Sequence, residues 1–117
     1  MTSDRDELLA QQLQQLRREY LRDSTQRVEE LRGLKARLAQ DQAGALADLR
    51  QAFHRLAGSG GSYGFPDVSA RSREGEQLAL RLASSDAPLK PGEVTAIEQC
   101  IDGVANAFAA AGGTIAP

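Results

Sequence analysis

Residues 42–64 read QAGALADLRQAFHRLAGSGGSYG, and this stretch decides the architecture. Leu46, Leu49, Phe53 and Leu56 recur at alternating steps of three and four residues, one apolar face of an α-helix. Asp41, just upstream, offers a carboxylate to the free N–H groups of a first turn, so a helix over about 42–58 is predicted. Gly58, Gly60, Gly61 and Gly64 then crowd into GSGGSYG, a density expected to end or loosen regular helix.

The pattern outward from this stretch is also helical. Residues 4–40 contain one Gly and no Pro and are rich in Leu, Gln, Glu and Arg. Leu9, Leu13, Leu16 and Tyr20 form one stripe, which resumes out of phase at Val28, Leu31 and Leu38. Asp23, Ser24 and Thr25 offer capping side chains at the phase slip, so helices near 4–22 and 24–39 with a bend are predicted, or else one long kinked helix. Pro66 suits the first turn of a helix over 66–84, whose Val68, Leu78 and Leu82 are interspersed with Ala and Gly. Those small residues suggest close approach to a neighbour. A loop from Ser85 to Gly92 leads to a last helix over 92–111 with the stripe Val94, Ile97, Ile101, Val104, Phe108. Gly112 and Gly113 are expected to stop it, and Thr114–Pro117 to fray. No segment sustains the alternation of a β-strand. Helices of this length with short loops point to an all-α fold, an up-and-down bundle.

The composition narrows function. The chain has 117 residues, enough for one domain, and a net charge of −2. That mild acidity argues against nucleic-acid binding. No apolar run is long enough to span a membrane, and the polar N-terminus does not resemble a signal peptide. The chain has one His and one Cys, too few N and S ligands for structural zinc, and no internal disulfide can form. A cytoplasmic location is the expectation. The mixed charges along residues 4–40 read as a solvated helix face.

The single histidine is the chemically telling residue. With His54 at zero on a wheel of about 100° per residue, the apolar face centres near −120°. His54 should therefore stand at the solvent edge. Its wheel neighbours are Ala47, Arg50, Ala57, Gly58 and Gly61, four of them Ala or Gly. Imidazole is a nucleophile near neutral pH and can accept a phosphoryl group on one nitrogen while a hydrogen bond fixes the other. A nearby Arg or Lys can balance the added charge.

These residues resemble a known family. Phe53-His54-Arg55-Leu56-Ala57-Gly58-Ser59, followed by Gly64, is similar to the signature of the histidine-containing phosphotransfer (HPt) domain, His-x-Leu-Lys-Gly-Ser with a later Gly. Gly64-Phe65-Pro66-Asp67-Val68-Ser69 resembles the start of that family's next helix. The resemblance implies an antiparallel up-and-down four-helix bundle with an additional N-terminal helix. It implies that His54 takes a phosphoryl group from a receiver-domain aspartate, in a response regulator or hybrid histidine kinase, and passes it to another receiver. It implies no cofactor on this chain, Mg2+ being expected on the receiver only. A monomer is expected. Gly58 would leave room for the receiver, Ser59 would support the site, and Ala57, Gly61 and Gly64 would lie at the partner contact. The chain departs from the family at Ala57, where a Lys is usual. Arg50 is the best substitute cation on the same face, with Arg71 and Arg73 on the following helix as candidates. Arg55 points about 100° away and is better placed for a partner.

Other chemistries fit these residues less well. Ser59, Ser62 and Tyr63 near His54 could suggest acyl transfer, but no Asp or Glu is evidently placed to orient the ring and there is no nucleophile elbow. The glycine run lacks the Lys and Ser/Thr of a P-loop. Cys100 reads as a small core residue rather than a redox centre. The alternative from another class is a helical interaction or dimerisation module that transfers no phosphate, which Ala57 favours. A hydrolytic enzyme, which would need a pocket, ranks below it.

Overall fold

The computed structural model describes residues 3–112. Thr114–Pro117 and Gly113, where fraying and a stop were expected, lie outside the described residues. The elements are α1 (Asp4–Arg22), α2 (Ser24–Ala36), a 3₁₀ turn (Arg37–Ala39), α3 (Gln42–Ser62), α4 (Pro66–Leu82) and α5 (Pro91–Ala110). No strand occurs among the described residues.

Local chemistry sets most boundaries as the sequence predicts. Asp41 caps α3 by accepting from the Gly44 N–H at 3.0 Å. Pro66 and Pro91 stand in the first turns of α4 and α5. The bend falls at Asp23, as expected, yet Asp23 makes no side-chain cap. The larger difference is at the glycine run. α3 does not stop at 58 but continues through Gly58, Gly60 and Gly61 to Ser62. It ends at Gly64, whose φ of +83° only glycine adopts readily. There the Phe65 N–H reaches the Gly60 carbonyl at 2.7 Å and the Gly64 N–H reaches Gly61 at 3.1 Å, a Schellman closure.

Four helices enclose the core. α2 packs on α3 and α5, and α4 packs on α3 and α5, which closes a ring. Phe53, Phe108, Leu31, Leu46, Leu49, Ile97, Ile101, Val68 and Val104 are fully buried inside it. Surface pairs brace the ring: Arg32 with Asp102, Lys35 with Glu98, Arg55 with Glu30, and Arg37 with Asp48. The exposure of these pairs makes each worth at most about 1 kcal/mol.

The tightest contact is between α3 and α4. A Cβ added at Gly60 would sit 3.0 Å from Val68 and 3.1 Å from the Ser69 backbone nitrogen. Ser69 donates its hydroxyl to the Ala57 carbonyl at 2.8 Å. Gly75 has the Phe53 ring where its own Cβ would be, at 2.5 Å. The small residues of α4 thus permit the close approach that their spacing suggests.

α1 is joined to the bundle by its last turns only. Tyr20 is its one buried residue. The ring stacks on Tyr63 with centroids 4.7 Å apart and on Phe65 at 5.9 Å, and Arg27 lies over it at 4.6 Å. The Tyr20 hydroxyl shares a 2.7 Å hydrogen bond with Ser59. Leu9, Leu13 and Leu16, which share its stripe, stay exposed. The molecule measures 61 Å along its longest axis, against about 32 Å for α3. α1 therefore overhangs the bundle.

Gly75→Ala should force the Phe53 ring out of place and lower stability by about 1–3 kcal/mol, read as a fall of several degrees in Tm. Burial pushes the Tyr20 phenol above its ordinary range, and the Ser59 hydrogen bond and Arg27 only partly offset this. A raised folded pKa means stability that is present below the unfolded phenol's range near pH 10 and lost above it. Denaturant titrations across that range should show this loss, and Tyr20→Phe should flatten it.

Candidate functional site

The sequence places His54 on the outer face of α3, and the side chain is 75% exposed. Its immediate surroundings are bare. A Cβ at Gly58 would meet nothing within 4 Å, and Gly61 is also exposed. A second macromolecule can approach the ring without displacing a side chain.

One nitrogen of that ring is engaged. His54 Nδ1 lies 2.5 Å from Glu76 Oε2, on α4. A carboxylate can only accept, so Nδ1 carries the proton and donates it. In the neutral ring the lone pair is then on Nε2, the nitrogen directed away from Glu76. His54 follows Phe53, Glu76 follows Gly75, and the Phe53–Gly75 contact fixes the distance between their backbones. Glu76 is mostly covered, its side chain 24% exposed. Its hydrogen bond is therefore less open to competition from water than one between two exposed groups.

Glu76 was not foreseen, since the sequence offered no carboxylate evidently placed to orient the histidine. A signal for it existed. If Gly64 and Phe65 are the turn of a helical hairpin, reflection through them sets residue 54 opposite about residue 76. The rotation of α4, unread from its weak apolar stripe, decides that the side chain faces inward to the ring.

The cations divide into two groups. Arg50 is exposed, one turn before His54 on the same face, and Arg73 is exposed, one turn before Glu76. Neither makes an ion pair among the described residues. Arg71 belongs elsewhere. It pairs with Glu74 at 3.5 Å, and its Cδ lies 3.5 Å from where a Gly103 Cβ would be, against α5. Arg55 is drawn to Glu30 of α2 at 3.2 Å, on the flank away from α4.

Three further expectations need revision. Ser59 does not stand beside His54, because its hydroxyl is held by Tyr20 and turned to α1. Ala57 is buried, 6% exposed, under Ser69 of α4, so it presents no surface to a partner. Gly64 forms the turn, with the Arg17 guanidinium 3.8 Å from its Cβ direction. Its part is conformational.

No group of three or more His, Cys, Asp or Glu that could hold a metal occurs among the described residues. Nor is any helix among them long and apolar enough to cross a membrane. Cys100 is half-buried, and burial pushes its thiol up, away from the reactive thiolate.

The chemistry offered is thus one exposed imidazole with a fixed tautomer, on a bare surface, with two unpaired cations a turn away. No curated protein and no solved structure matches the chain. The model of the Hpt domain matches residues 7–107, and the chain belongs to the Hpt domain family.

Proposed function

We propose that this domain carries phosphoryl groups in a phosphorelay, accepting one on His54 Nε2 from a receiver-domain aspartate and returning it to the aspartate of another receiver. Histidine phosphotransfer is the work of its family, and the single observation that carries the assignment to His54 is the hydrogen bond from Nδ1 to Glu76. An up-and-down antiparallel run of α2 to α5, with α1 added before it, is the matching architecture. The cross-helix pairs support it, since Arg32 meets Asp102 and Lys35, one turn later, meets Glu98, one turn earlier.

The step balances without a base on this chain. The Nε2 lone pair attacks phosphorus, the N–P bond forms, the P–O bond to the receiver's aspartate breaks, and its carboxylate leaves. The ring then carries positive charge, with its proton still on Nδ1. Glu76 stabilises that charge as it develops, which lowers the barrier to phosphorylation of the ring. Arg50 and Arg73 meet the negative phosphoryl oxygens in place of the Lys absent at Ala57. Any Mg2+ belongs to the receiver. The open ring surface at Gly58 and Gly61 admits the receiver's active-site loops.

An interaction module without phosphotransfer is less well supported. Such a module has no need of an exposed imidazole whose second nitrogen is held by a mostly covered carboxylate.

Incubation with a phosphorylated receiver should label the chain with base-stable, acid-labile phosphate, and His54→Gln should remove the label entirely. Label persisting in His54→Gln would falsify the assignment. Glu76→Ala should slow transfer roughly ten- to hundred-fold, the range of a charge-assisted hydrogen bond, and Glu76→Gln should slow it less. Arg50→Ala should slow it by a smaller factor still. Stopped-time labelling with one fixed receiver ranks the variants.

A further inference from the structure

On the phosphotransfer reading, a receiver must bring its phosphorus within bonding distance of His54 Nε2, and it covers what surrounds the ring. A protein interface of ordinary size takes about 800 Å² from each partner, a disc of about 16 Å radius, and one of half that area still reaches about 11 Å. The groups already assigned inside that circle are charged or bare: Arg50, Arg73 and Glu76, with open backbone at Gly58 and Gly61. Such charges steer a partner and fix its register, but they give it little apolar area to bury.

Leu80 supplies that area. It is 52% exposed, and every other exposed large apolar side chain among the described residues is on α1. With Gly75 at zero on a wheel of about 100° per residue, Glu76 and Ser69 lie at about +100° and +120°, and both bond to α3. Leu80 lies at about +140°, so it points to the α3 side of α4 and tilts outward from Glu76. It stands about 6 Å along the axis from Glu76, and helices packed through glycine run about 8 Å apart, which sets it about 10 Å from His54. Arg50 is at the same level on α3. Ala47 on α3 and Ala83 just beyond α4, both exposed, lie one turn further along. Leu80 and the two alanines make a small apolar patch beside the imidazole. A lone exposed leucine is ordinary, but this one falls where a partner has to sit.

We propose that Leu80, with Ala47 and Ala83 beside it, is the apolar contact that binds the receiver, and that the receiver sets an apolar side chain against it about 10 Å from its aspartate. A receiver with a charged side chain at that place is a poor donor however competent its aspartate. Leu80 thereby selects among receivers and takes no part in the making or breaking of the bond to phosphorus.

Labelling rates measured against the concentration of a phosphorylated receiver separate docking from chemistry. Phosphoramidate, a small donor that needs no docking surface, isolates the chemistry. Leu80→Ala should raise the half-saturating receiver concentration roughly ten-fold, the effect of one leucine's buried area, and leave the limiting rate unchanged. Leu80→Glu should raise it further. Leu80→Met, of similar size and apolar, should keep it within about two-fold. All three should take phosphate from phosphoramidate at the wild-type rate and keep the wild-type helical circular dichroism. A wild-type half-saturating concentration in Leu80→Ala overturns the proposal and leaves the phosphotransfer reading intact. A fall in the limiting rate or in phosphoramidate labelling also overturns it, because Leu80 then acts on the site itself. A wild type labelled by phosphoramidate but by no phosphorylated receiver overturns the phosphotransfer reading and this proposal with it.

Discussion

The close approach of α3 and α4 is the constraint on which the site depends. Helices packed through large side chains stand farther apart than helices packed through glycine and serine. Here Gly60 lies against Val68 and Ser69, Ala57 accepts from the Ser69 hydroxyl, and Gly75 gives its Cβ space to Phe53. The Phe53 ring is both core and spacer. It is 1% exposed and holds α4 at the depth where the next residue of each helix, His54 and Glu76, can share a hydrogen bond. Packing decided inside the core thereby fixes proton placement on the surface.

This arrangement separates stability from chemistry. The four-helix core needs nothing from His54, which contributes no burial. The histidine, by contrast, needs the core to aim Glu76. A carboxylate on a flexible surface loop would hydrogen-bond with water as readily as with the ring. Mounted on a packed helix and mostly covered, it holds one nitrogen and leaves the other for the partner. On the proposed phosphotransfer reading, the chain supplies an oriented imidazole and the receiver supplies the rest.

Much of the fold was legible in the sequence because apolar periodicity reports burial directly. The stripe of α3 set the exposure of His54, and the stripe of α5 named Ile97, Ile101, Val104 and Phe108, all buried. Less legible were features that depend on a second helix. The glycine run read as a helix end, but glycine also permits helix contact, and burial against α4 outweighs its weak propensity. Ser59 read as part of the site by its place in the motif, but Tyr20, distant in sequence, claims its hydroxyl. The stripe of α1 was visible, yet periodicity alone does not distinguish a face buried in its own bundle from one left exposed. Glu76 was hidden because the Ala- and Gly-rich α4 gives too faint a stripe to fix its rotation.

The central claim is that Glu76 holds the His54 ring with its proton on Nδ1 and its lone pair on Nε2. Nitrogen-15 NMR of the imidazole reports this directly, and the single histidine removes any ambiguity of assignment. In the unphosphorylated chain with the ring neutral, Nδ1 should carry the proton and Nε2 should be bare, with that preference lost in Glu76→Ala. A wild-type ring with its proton on Nε2, or a tautomer ratio indifferent to Glu76→Ala, would contradict it.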